Sequence, residues 1–144
     1  MTIKDVLKQK GNTVHTIRKN QPLAVAIERL HEKKIGALVV VGEGDEIAGI
    51  VSERDVVDAL AKRGQAALTE SLINCATPDV YTCGPDDDIN TAMNWMTRRR
   101  VRHLPVVEGT KLLGIVSIGD LVKQRMQAIK DEANVLRDMV IAGR

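Results

Sequence analysis

Gly49-Ile50-Val51-Ser52-Glu53-Arg54-Asp55 reads as glycine, two apolar residues, serine, two unconstrained positions and aspartate. The pattern returns as Gly114-Ile115-Val116-Ser117-Ile118-Gly119-Asp120, with the same interval between the two serines as between the two aspartates. An apolar run that meets Ser-x-x-acid is the signature of a strand turning into a capped helix. A hydroxyl and a carboxylate at a duplicated corner point to two related ligand sites, not to one catalytic centre.

Beyond these two corners, the rest of the chain repeats in the same order. Val14-His15-Thr16-Ile17 matches Val80-Tyr81-Thr82-Cys83, and both read as short strands. Pro22 to Leu30 matches Asp88 to Met96, with Leu23, Ala26, Ile27 and Leu30 at helical spacing and Pro22 near the first turn. Asp86 or Asp87 is expected to open the matching helix, so the run Asp86-Asp87-Asp88 reads as a dipole-matched first turn and not as a calcium loop. Ile35 to Val40 matches Val101 to Val106, and Ala37 to Val41 has the continuous apolar character of a strand buried on both faces. Gly42-Glu43-Gly44-Asp45 and Val107-Glu108-Gly109-Thr110-Lys111 are the hairpin turns. Each copy is therefore strand, helix, strand, strand, helix.

Thr2 to Gln9 can form an extra helix, with Thr2 and Asp5 as its cap pair. Asp120 to Ile141 is a helix longer than one repeat needs, and it is expected to cover the first repeat or to meet a partner chain. Residues 1–68 form the first unit with its N-terminal helix, and 69–144 the second with its C-terminal helix. One copy has too little core to stand alone, whereas two packed together share one.

The bulk numbers fit this plan. With 44% hydrophobic and 28% charged residues the chain reads as a soluble globular protein. One Trp, one Tyr and no Phe require an aliphatic core. A net charge of +2 gives no general attraction to nucleic acid or anionic membranes. Met1 to Lys10 is charged and lacks a secretory apolar segment, and no apolar run approaches membrane-spanning length. Cys75 and Cys83 match no metal-ligand spacing, so a cytoplasmic protein with reduced thiols is expected.

The two phrases Lys33 to Val57 (KKIGALVVVGEGDEIAGIVSERDVV) and Arg98 to Val122 (RRRVRHLPVVEGTKLLGIVSIGDLV) resemble the CBS domain. Their tandem arrangement resembles a Bateman module over roughly residues 10 to 125. No catalytic domain accompanies the pair, so the chain looks like a stand-alone CBS-pair protein. The resemblance implies an α/β (α+β) fold: two β-α-β-β-α repeats packed as a pseudo-twofold disc, with helical segments at both ends. It also implies clefts for adenosine ligands such as AMP, ATP or NAD(H), a homodimer of modules whose orientation is not given, and a regulated partner protein of unknown identity.

On that resemblance, Asp55 and Asp120 are the ribose ligands, since a carboxylate can accept from two adjacent hydroxyls. Either aspartate could instead serve only its helix terminus. Ser52 and Ser117 cap their helices and can still donate to phosphate. Arg102 and His103 are assigned to the Asp120 cleft as phosphate cations, with Ile35 and the His15 region completing its adenine slot. The Asp55 cleft takes Arg54 as its cation, with Val101 and the Tyr81 region completing it. The positions that match Arg102 and His103 are Gly36 and Ala37, which offer no charge but leave room. The two clefts are therefore expected to differ, with AMP suited to the Asp120 cleft and the Asp55 cleft either taking a larger or differently oriented ligand such as NAD(H) or staying empty.

Two other function classes find little support in these residues. For an enzyme, the chain lacks a glycine-rich dinucleotide loop, a phosphate loop, a nucleophile elbow and a His/Cys metal cluster, so a non-catalytic role is expected. For nucleic-acid binding, Arg98-Arg99-Arg100 is the one supporting feature, and such a run equally suits a helix C-terminus. A ligand-independent interaction module remains the further alternative.

Overall fold

The structure is a computed structural model, and it describes residues 1–143. It is a mixed α/β fold of five α-helices and two small sheets. The first repeat contains β1 (Thr16–Arg18), α2 (Leu23–Lys33), β2 (Ala37–Val41), β3 (Ile47–Ser52) and α3 (Glu53–Arg63). The second contains α4 (Ile89–Arg99), β4 (His103–Glu108), β5 (Lys111–Ser117) and α5 (Ile118–Ala142). Ahead of both lies α1 (Ile3–Lys10), with the expected Thr2/Asp5 capping box.

The two repeats form for the same reasons. In α2 the buried positions are Leu23, Ala26 and Leu30, and in α4 they are Ile89, Ala92 and Met96. Both helices thus present an i, i+3, i+7 stripe to their sheets. Both end on a left-handed residue, Lys34 at φ 53° and Arg100 at φ 54°. That conformation is uncommon for residues other than Gly, and here it turns the chain sharply into the next strand. β2 is buried along its whole length, as its sequence requires.

The sheets differ in one respect. β1 runs parallel to β2, which is antiparallel to β3, giving three strands. The second sheet has only β4 and β5. The strand expected at Val80 to Cys83 shrinks to one parallel bridge, Cys83 with Val106. The cause is Pro105. In the first repeat the Val39 N–H donates to the His15 carbonyl at 3.3 Å. The equivalent bond would need an N–H on Pro105, which has none, so the ladder stops at Cys83.

The caps carry a second correction. Asp88, not Asp86 or Asp87, opens α4, and its carboxylate accepts from the Asn90 and Thr91 N–H groups. Asp87 accepts instead from the Gly84 N–H at 2.7 Å.

Two apolar clusters form the core, and each borrows from outside its own repeat. Ile17, Leu23, Leu38, Val40 and Val51 pack with Ala67 and Leu72 from the segment joining the copies. Ile89, Met96, Leu104, Val116 and Leu121 pack with Ile3 and Val6 of α1. α1 thus comes first in the chain but completes the second core. Its Ile3 and Lys4 N–H groups donate to the Asp87 and Pro85 carbonyls. α5 packs against α1, α4 and β5 near its start and does not cover the first repeat. Among the described residues no helix is long and apolar enough to cross a membrane.

Candidate functional site

β3 delivers Ser52 and Asp55 to the first corner. The Ser52 N–H donates to Asp55 Oδ2 at 2.8 Å, and the Asp55 N–H donates back to Ser52 Oγ at 3.4 Å. The other carboxylate oxygen, Oδ1, accepts from the Thr77 hydroxyl at 3.2 Å. Thr77 is held there by a two-bond bridge between its backbone and Ile50. Gly49 permits this approach, because a Cβ at that position would lie 2.9 Å from the Thr77 carbonyl oxygen.

This corner opens into a cleft of ≈ 400 Å³ lined by both repeats. Gly36, Ile50 and Ser52 to Asp55 form the wall from the first repeat. Arg100 to His103, Ser117 and Ile118 form the wall from the second. Thr77 and Asp79 to Tyr81 cross between them. Three arginines, Arg54, Arg100 and Arg102, share this space with the Glu53, Asp55 and Asp79 carboxylates. Carboxylates that accept hydroxyl protons beside guanidinium groups that take anions suit a ligand with both a diol and phosphates. The Arg99 guanidinium stacks on the Tyr81 ring 4.0 Å from its centroid, which anchors the aromatic at the cleft mouth.

Arg102 and His103 therefore line the cleft that also holds Asp55, and His103 stands near enough to Lys10 and Asp120 to feel their charges as well. The reason lies in Gly36. The start of β4 abuts the matching position of the first repeat, where a Cβ on Gly36 would sit 3.1 Å from His103 Nε2. The lack of a side chain at Gly36 lets His103 reach across between the repeats. Burial, then the nearby Lys10 charge, pushes the His103 imidazole below its ordinary pKa. The opposing pull of Asp120 and Glu53 does not offset this.

The second corner has the same cap and a different occupant. The Ser117 N–H donates to Asp120 Oδ2 at 2.8 Å, and the Asp120 N–H donates to Ser117 Oγ at 3.1 Å. Lys10 Nζ, at the end of α1, donates to the same Oδ2 at 2.6 Å and to the Ile115 carbonyl at 2.8 Å. Partial burial is the largest single influence on Asp120 and raises its pKa. The Lys10 and Ser117 bonds together outweigh it and hold the carboxyl below its usual range. Asp120 does not line the ≈ 400 Å³ cleft, whereas its cap partner Ser117 does.

The remaining candidates are dispersed. Val101 and Tyr81 line the Asp55 cleft as expected. Ile35 lines a separate groove between α2 and α3, with Ile27, Leu30 and Val56. His15 is half-buried beside β2, and Ala37 is buried within it. Neither lines the cleft. Arg100, whose sequence position allows it to reach a phosphate at the neighbouring cleft, lines the cleft, whereas Thr77, Asp79 and Lys10 are the residues a sequence reading passes over as site members. Burial pushes the Cys83 thiol up to about 12, so it stays protonated as a core residue.

The CBS domain pattern matches residues 3–62 and 72–126. A mitochondrial CBS domain-containing protein of Arabidopsis thaliana, CBSX3, is 30% identical over 99% of this chain and 73% of its own length. Three further relatives are covered over 66%, 32% and 54% of their lengths. Among solved structures, a CBS-domain containing protein from Agrobacterium tumefaciens superposes with a TM-score of 0.84 at 40% identity, covering 86% of this chain and 92% of that one. The CBS domain pair of protein MJ0100, solved with 5′-methylthioadenosine and S-adenosylmethionine, shares the fold with a TM-score of 0.78 at 24% identity, covering 89% of this chain and 98% of that one. The duplicated Ser-x-x-Asp corner, the repeated element order and these likenesses agree: the chain belongs to the CBS-domain family and carries two CBS repeats in tandem.

Proposed function

We infer that this protein is a non-catalytic regulatory module that binds an adenosine nucleotide between its two CBS repeats. In this reading the occupied module signals energy or redox state to a partner protein, and the responding unit is a homodimer. One observation carries the reading: the cleft joining Asp55 to Arg54, Arg100 and Arg102. A free carboxylate lone pair and three guanidinium groups favour ribose with a pyrophosphate, so ATP or NAD(H) is expected to bind better than AMP. The adenosine ligands of MJ0100 are consistent with this class. Binding shifts a partner only as far as the nucleotide prefers one arrangement of the module over another.

Arginine placement also bears on nucleic acid. Arg99 is spent on Tyr81 and Arg100 faces the cleft, which leaves Arg98 as the remaining cation of the run.

The test is calorimetric titration of nucleotide-stripped protein with AMP, ATP, NAD and NADH. Losing the charge-assisted bonds of one side chain costs about 1.5–3 kcal/mol. Asp55→Ala and Arg102→Ala should therefore each weaken binding by roughly 10- to 100-fold. A folded wild-type protein that binds none of the four would overturn the nucleotide reading.

A further inference from the structure

α5 carries two apolar stripes, and only one is used. Leu121 is buried in the second core, Gln124 is buried one turn on, and Ala128 is half-buried. About 100° around the helix runs a second line: Val122, Met126, Ile129, Ala133, Leu136 and Val140. Its steps alternate four and three residues, the spacing of a two-helix seam. Every member is exposed; Met126 stands at 65%, Leu136 at 60% and Val140 at 62%. Beyond Ala128 the first stripe also continues, as Val135 and Met139, with no protein beneath it.

We propose that this outer seam of α5 joins two copies of the chain as an antiparallel helix pair. The proposal deepens the homodimer reading given above and does not depend on the ligand. The seam itself specifies a second copy as its occupant. With Met126 against Leu136 of a second copy, Ile129 falls against Ala133 and Val122 against Val140. Each of the six positions then has an apolar partner, with none left over. Antiparallel pairing also explains the second stripe. It lays the C-terminal half of each α5 along the N-terminal half of the other, and so beside the other copy's folded body. Val135, Met139 and Ile141, all more than half exposed, gain a surface there. A parallel pair would leave them in water. That added contact moves a six-layer seam towards the ~800 Å² per partner of a stable association. The register sets Lys130 near its own copy and Glu132 near its own, on the solvent-exposed flanks where salt screens like charges.

The experiment is sedimentation equilibrium of the full chain at micromolar concentration, beside the double variant Ile129→Lys, Leu136→Lys. Both side chains are exposed, so the variant is expected to keep its circular dichroism spectrum. The wild type should sediment at twice the chain mass and the variant at the chain mass. A monomeric wild type overturns both the homodimer reading and the seam. A variant that stays dimeric overturns the seam alone. Direction is read by a short bismaleimide in a Cys75→Ser background. Glu132→Cys should give a covalent dimer. Val140→Cys should not, because the register holds its two copies about 27 Å apart. The opposite pattern overturns the antiparallel register.

Discussion

The two Ser-x-x-Asp corners share a sequence, a capping box and a place in their repeats, yet they meet different neighbours. At Asp55 the neighbour is a hydroxyl, Thr77, and the corner opens into a cleft between the repeats. At Asp120 it is an ammonium, Lys10, which also holds the Ile115 carbonyl. The difference comes from the chain just ahead of each repeat. The joining segment reaches Asp55 as a backbone bridge with a short side chain. α1 reaches Asp120 as a helix end with a long cation. A duplicated motif thus builds two carboxylate sites, and the segments outside the motif decide how accessible each one is.

Replacing Lys10 tests this comparison most strongly. The Lys10→Met variant keeps the side chain's apolar stem and releases the carboxylate. It should raise nucleotide stoichiometry from one site to two, with the added site lost again on Asp120→Ala. Unchanged stoichiometry in calorimetry would show that Lys10 is not what separates the corners.

Glycine substitutions come next. At Gly49 an added Cβ meets a backbone carbonyl oxygen at 2.9 Å. At Gly114 it meets the end of the Leu7 side chain at 2.7 Å. A backbone cannot turn aside as a leucine terminus can. Gly49→Ala should cost about 1–3 kcal/mol of unfolding free energy, and Gly114→Ala less. Urea denaturation of both variants checks the order.

The smallest expected effect is on pH dependence. The folded-state pKa of His103 lies below its unfolded value of 6.5. Its contribution to stability is therefore present above that pH and is lost as pH falls through the lower, folded value. A bound phosphate favours the imidazolium, so nucleotide affinity should rise as pH drops from 8 towards 5.5. His103→Gln should flatten that rise in titrations across the range. Asp120 follows the carboxylate sign: its contribution holds above 3.8 and is lost at more acid pH.

Much of this arrangement is legible in residue order. The strand-to-helix corners, the i, i+3, i+7 stripes of α2 and α4, and the buried β2 are local patterns, and local physics produces them. The Val80 to Cys83 strand is missed because its fate depends on Pro105, a residue on the strand it would have joined. The placement of Arg102 and His103 depends on Gly36, in the other repeat. Lys10 reads as an ordinary charge at a helix end until the helix is seen to dock beside β5. In each case the deciding partner is remote in sequence, and periodicity carries no information about it.

The docking of α1 into the second core also sets a timetable. During synthesis Ile3 and Val6 emerge long before Leu121, and the surface that buries them is incomplete until Leu121 has been made. Ile3 and Val6 must wait unburied while the second repeat is assembled. Contacts of such long separation slow folding. A disturbance in α1 should therefore be felt in the second repeat and not in the first.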